Sequence, residues 1–174
     1  MRRTVEPDSF VINPVRLWNE WLLLTGGDYS RGSFNTMTVA WGSLGVMWGR
    51  PFAQVVVRPT RYTFGFMERF ETFTLSRFPS SCKEALSLLG RVSGRDGDKI
   101  SQAGLHPTAS LCVAAPSFKE AELVIECRAI YRDELRPEGF RNPDIASNYD
   151  GDYHRVYFGE IIAVSAADTV ATDG

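Results

Sequence analysis

The sequence predicts a mainly β (α+β) fold: an antiparallel barrel of about six strands, with two or three short helices inserted between them. Three observations point there. Aromatic residues are dense, at 11 Phe, 6 Tyr and 4 Trp, and they accompany 15 Gly and 9 Pro, a mixture that favours short strands and turns over a helical bundle. The strand-like runs are not regularly separated by long helices, which argues against a doubly wound α/β sheet. No repeat, low-complexity tract or linker interrupts the 174 residues, so the chain reads as one domain over 1–174 that closes its own sheet and hides its edges.

Each element has a local reason. A short helix near Val15–Glu20 leads into an apolar strand over Trp18–Thr25, which the turn signal Gly26-Gly27-Asp28 ends. The polar stretch 28–34 reads as a loop. Residues 35–48 form a β-favouring run with Gly42 and Gly45 inside it, and a glycine within a strand marks a bulge or a close approach. Pro51 sets off the strand FAQVVV, which Arg58-Pro59 ends. A helix over 61–69 takes Thr60 as its N-cap, and 72–78 alternates as a strand. Residues 81–90 are helical, with Ala85, Leu86 and Leu89 on one face and Gly90 at the end. A polar loop then leads to a short helix started by Asp98. Strands follow at 121–131 and 155–166, with another near Leu111–Ala114, and a frayed tail begins at about Ala166.

Charge and motif content exclude several functions. With 19 basic and 21 acidic residues, the chain lacks the charge of a strongly basic nucleic-acid binder. No run approaches the roughly 18 to 20 apolar residues of a membrane span, and the start, MRRTVEPDSF, lacks the apolar core of a secretory signal. Three widely spaced cysteines fit free thiols in a reducing, cytoplasmic setting. His106 and His154 stand at no metal-ligand spacing, so no metal site is expected. Phosphate-loop, dinucleotide and nucleophile-elbow motifs are all missing, which leaves a bound flavin open.

Three segments present polar groups at the ends of apolar strands. Asn35-Thr36-Met37-Thr38 offers amides and hydroxyls to a polar ring edge; the alternative is an ordinary turn-to-strand junction. Arg58-Pro59-Thr60-Arg61-Tyr62-Thr63 puts two guanidinium groups and threonine hydroxyls at a helix start, the set that a phosphate needs; the alternative is a solvated strand end with a cap. Ser93-Gly94-Arg95-Asp96-Gly97-Asp98-Lys99 is a charged loop able to hold a cation near a ring, or merely solvated surface. His154 stands just before the last strand, where a lone histidine is more often structural or exposed than catalytic.

In order, these segments resemble the flavin reductase-like family, the split-barrel flavin mononucleotide (FMN) proteins that include flavoredoxin. The resemblance runs over about residues 20–165 through NTMTVAWGSLGVMW, VRPTRYT, SGRDGDK and DYHRVYFGEI. It implies a six-stranded Greek-key split barrel and a homodimer with non-covalent FMN near the subunit interface. It also implies that Asn35, Thr36, Met37 and Thr38 lie along the isoalloxazine, and that Gly42, next to Trp41, lets the ring approach the backbone. Arg58, Thr60, Arg61, Tyr62 and Thr63 would hold the phosphate and ribityl chain, and Ser93, Gly94 and Lys99 would close the site. Flavin reductases of two-component monooxygenases carry a G-D-H pattern before the last strand, its histidine on the nicotinamide side. His154 matches it as the catalytic candidate, although Tyr153 directly precedes it and Asp152 stands one place earlier. The expected activity is an NAD(P)H:flavin oxidoreductase with transiently bound nicotinamide and free flavin or a protein as acceptor. The alternatives are an electron carrier reduced by a protein partner and a flavin-binding protein without turnover.

Overall fold

The computed structural model describes residues 2–7, 12–167 and 170. Its first strand, β1 (Arg2–Val5), has too short an apolar pattern to read from sequence. α1 (Pro14–Asn19) begins where Asn13 accepts the Arg16 amide at 3.0 Å and Pro14 takes the first turn. Trp18 therefore belongs to the helix, and β2 (Leu22–Asp28) starts only after Trp21, at a left-handed φ of 67°. β2 runs straight through Gly26 and Gly27 instead of turning there. The two glycines make room: a Cβ on Gly26 would sit 3.1 Å from Met67 Sδ, and one on Gly27, at φ +131°, would overlap the Ser33 carbonyl oxygen at 2.3 Å.

The run at 35–48 divides into β3 (Ser33–Val39) and β4 (Gly42–Met47), which lie at opposite ends of the sheet order. Trp48 and Gly49, with φ of 54° and 68°, turn the chain into β5 (Arg50–Val57), the left-handed pair of a type I′ hairpin. In α2 (Tyr62–Arg69) the N-cap is Arg61 rather than Thr60, and no side chain caps it. β6 (Thr72–Arg77) precedes α3 (Lys83–Arg91), which continues through Gly90. α4 (Lys99–Gln102) starts as expected, with the Asp98 carboxylate accepting the Ser101 amide at 3.0 Å.

β7 (Pro107–Thr108) and β8 (Ser117–Phe118) form a separate two-stranded ribbon. No strand forms at Leu111–Ala114. Both the Leu111 and Cys112 amides donate instead to the buried Glu126 carboxylate at 2.7 Å, so that stretch wraps a charge. β9 (Leu123–Glu134), α5 (Pro143–Ala146) and β10 (Arg155–Ala167) complete the chain. Ala166 is not frayed: it is buried and paired with Leu123 and Arg3. Ala167 likewise belongs to β10 and pairs with Arg2, and the rest of the expected tail, apart from Val170, lies outside the described residues.

The main sheet is antiparallel in the order β3-β2-β6-β9-β10-β5-β4, with β1 added along β10. β10 holds it together: its first half pairs with β5, its second with β1, and its whole length with β9. The sheet curls into a split barrel, so Leu22, Leu24, Val39, Val55, Phe73, Ile125 and Tyr157, from both ends of the strand order, share one core. Gly159 lets it close, since a Cβ there would lie 2.4 Å from Phe73 Cζ. Leu23 and Val124 point outward into a second cluster beneath α3, with Leu86, Leu89 and Phe118. Burial on both faces explains why the run through β2 is continuously apolar. The described residues contain ten strands rather than six, the excess being mainly short pieces. No described helix is long and apolar enough to cross a membrane.

Candidate functional site

Two clefts meet on one side of the barrel, where β3 runs past the start of α2 and the end of α3. The smaller, about 100 Å³, is lined by Asn35, Met37, Thr60, Arg61, Tyr62, Thr63, Ser93, Gly94, Lys99 and the Leu89–Val92 and Arg95 region. The larger, about 290 Å³, is lined by Met37–Trp41, Val56, Arg58, Arg61 and His154. Met37 and Arg61 belong to both. Three segments far apart in sequence are thus brought together, as are thirteen of the fifteen residues singled out from sequence.

The smaller cleft is polar and cationic. Asn35 is buried and donates to Thr63 Oγ1 at 2.7 Å and to the Thr36 carbonyl at 3.2 Å. Gly94 packs directly on it, for a Cβ would lie 2.3 Å from Asn35 Oδ1. Tyr62 forms a wall beneath the Arg95 guanidinium, 5.0 Å from its ring centre. α2 has no acidic residue in its first turn and no side-chain cap, so its N-terminal dipole favours an anion beside Arg61. Lys99 is buried, and its ammonium donates to the Leu89 and Val92 carbonyls at 3.0 Å each. Burial, with Arg61 nearby, lowers its pKa from 10.5 to about 8. Lys99 therefore braces the end of α3 as well as charging the cleft.

The larger cleft has an aromatic, neutral wall. Trp41 is half exposed, and its ring lies 5.2 Å from that of His154. His154 is buried, and its Nδ1 lies 2.9 Å from Tyr149 Oη. Burial, reinforced by Arg58, lowers the His154 pKa from 6.5 to about 4, so the ring is neutral at pH 7. Arg58, expected to share a phosphate with Arg61, is instead committed within the protein. Its Nη1 donates to both Asp152 oxygens at 2.6 and 2.7 Å, and its Nη2 to the Asn148 carbonyl at 3.0 Å.

Two singled-out residues lie outside both clefts. Thr36 is buried within the sheet, its hydroxyl bonded to Thr25 and to the Leu24 carbonyl, 3.0 Å each. At Gly42 the Trp18 indole and the Gln54 carbonyl oxygen approach the backbone, each 2.3 Å from where a Cβ would lie. The sequence reading missed Val39, Ala40, Val56, the end of α3 and Tyr149. Most of these are ordinary strand or helix residues, and Tyr149 lies in a stretch, 135–153, with no periodic pattern to read.

The flavin reductase like domain profile matches residues 20–173. No curated protein matches. Among solved structures, an FMN-binding domain of a flavin reductases-like enzyme from Shewanella baltica OS155 is 18% identical with a TM-score of 0.73, covering 99% of this chain and 81% of that chain. Flavoredoxin from Methanosarcina acetivorans is 24% identical with a TM-score of 0.66, covering 86% of this chain and 69% of that one. An NADH:FAD oxidoreductase from Streptomyces globisporus is 15% identical with a TM-score of 0.65, covering 86% and 76%. At these identities the likeness establishes the split-barrel fold.

Proposed function

Because this chain belongs to the flavin reductase-like domain family, we propose that it is an FMN-binding oxidoreductase that takes hydride from NADH or NADPH. The observation that carries this reading is the meeting of two unlike clefts at Met37 and Arg61. The smaller, cationic and rich in donors, suits a phosphate monoester and its polyol chain. The larger, walled by Trp41 and a neutral His154, suits flat rings, a flavin with a nicotinamide laid transiently over it.

Bound FMN would supply the redox chemistry, accepting hydride and passing electrons to an acceptor. The protein's own residues bind and orient. Arg61 and the first amides of α2 hold the phosphate, with Thr60, Thr63 and Ser93 along the polyol. Asn35, fixed by Thr63, and the strand backbone from Met37 to Val39 meet the polar ring edge. Lys99 adds positive charge that favours an anionic reduced flavin. Trp41 and His154 cover the donor side and exclude water, and the neutral imidazole positions the nicotinamide by contact and hydrogen bonding. The working unit is a homodimer with each flavin near the interface.

Purified protein mixed with FMN should turn yellow, and anaerobic NADH or NADPH should bleach it rapidly with no other protein present. Failure to take up FMN overturns the reading. A flavin-loaded protein inert to both nicotinamides would instead be an electron carrier reduced by a protein partner.

A further inference from the structure

The segment between β9 and β10 is tied down around one histidine. The Leu135 amide donates to the His154 carbonyl at 2.9 Å, closing the two ends of the segment on each other. Within it, Phe140, Tyr149 and Tyr153 form an aromatic group with ring centres 5.0 to 5.9 Å apart. Arg58 lies 5.0 Å from the centre of the Tyr149 ring while its nitrogens grip Asp152 and the Asn148 carbonyl. The residue before Tyr149 and the ring itself are therefore both held by one guanidinium. Tyr149 in turn meets His154 edge-on, at an interplanar angle of 90°, with its hydroxyl 2.9 Å from Nδ1. His154 Nε2 has no hydrogen-bond partner among the described residues, and His154 lines the larger cleft.

We infer that Tyr149 is a positioning residue: its hydroxyl donates to His154 Nδ1 and holds the imidazole as the Nε2–H tautomer, so the cleft meets a neutral N–H donor suited to a carbonyl or carboxamide oxygen. The chemistry sets the direction of this bond. A phenol is a better donor than a neutral imidazole N–H, and an imine nitrogen is a better acceptor than a phenolic oxygen. Burial raises the Tyr149 pKa and lowers that of His154, which keeps both partners in the neutral forms this bond requires. The remaining charges at the site do not compete for the ring: Asp152 is taken by Arg58, and Arg61 reaches the Gly90 carbonyl at 3.4 Å. The inference rests on the proposed function for the identity of the acceptor, a nicotinamide carboxamide. The tautomer itself does not depend on that reading.

The test is long-range nitrogen–proton NMR of the full chain labelled with nitrogen-15, where the two histidines are told apart with His106→Gln. At neutral pH, His154 should carry its proton on Nε2 and show a hydrogen-bonded, unprotonated Nδ1. Tyr149→Phe keeps the ring and removes the hydroxyl, so the Nδ1 resonance should move to that of an unbonded imine nitrogen. In the flavin-loaded variant, kcat/KM for the nicotinamide should fall about 3- to 10-fold, the effect of one neutral hydrogen bond, while dithionite reduction and FMN affinity stay as in wild type. A wild-type His154 protonated on Nδ1 overturns the inference, and so does an Nδ1 resonance that Tyr149→Phe leaves in place. If the expected tautomer appears but wild type is inert to both nicotinamides, Tyr149 still positions His154 and it is the proposed donor that fails.

Discussion

Arg61 stands where the clefts join, at an uncapped helix start, with its guanidinium exposed beside buried Lys99. If it holds a phosphate, Arg61→Ala should weaken FMN binding about 10- to 150-fold, the range expected for losing a charge-assisted hydrogen bond. Riboflavin, which lacks the phosphate, should lose far less, and equal losses in flavin titrations would assign Arg61 a folding role instead. His154 supplies a pH signature. Its folded pKa, about 4, lies below the ordinary 6.5, so between those values the unfolded chain takes up a proton that the folded one refuses. The stability present above pH 6.5 is therefore lost as pH falls toward 4, by about 1–2 kcal/mol at pH 5. Urea unfolding at pH 7.5 and 5 should register this loss in wild type, and His154→Asn should show much less of it. Asp152 does not blur the window, because Arg58 holds its carboxylate below the usual range. At this scale the sequence was informative about residue types and less so about their commitments. Arg58 and Arg61 are indistinguishable as letters, and the Asp152 carboxylate, remote in sequence, separates them.

Among elements, glycines divide into those that permit a conformation and those that merely occupy one. Gly49 closes the β4–β5 hairpin at φ +68°, and a Cβ there would touch nothing within 4 Å. Gly49→Ala should therefore cost about 1–2 kcal/mol from left-handed strain alone. Gly65 lies inside α2 with ordinary backbone angles and equally open space. The same change there should stabilise by roughly 0.4–1 kcal/mol, since alanine restricts the unfolded chain and prefers the helix. Chemical denaturation of the two variants should give opposite signs. The helix start at Asp98 was legible from its Asx cap, whereas the one at Asn142 lies in a stretch with no periodic pattern to follow it. The Gly26-Gly27 pair was misread as a turn because two glycines in a strand look the same in sequence whether the chain bends or a helix packs on them.

For the whole molecule, Trp41, Val46, Trp48 and Tyr131 are 54%, 74%, 59% and 45% exposed, a large apolar expenditure of surface for one small barrel. We expect a second copy to cover it, and light scattering of the flavin-loaded protein should report about twice the 19.5 kDa chain mass. A stable monomer that still binds FMN would remove the interface from the site. What the sequence by itself determined was the split-barrel class and the three polar segments, because strand periodicity, turn residues and the run of motifs are local properties. The tertiary structure decided which of those residues face a cleft. It turned Thr36 into the sheet, filled the space beside Gly42 with Trp18, and gave Arg58 to Asp152. It also brought Tyr149 to His154. Those outcomes depend on strand pairing and side-chain packing between distant segments, for which a single sequence carries no local signal.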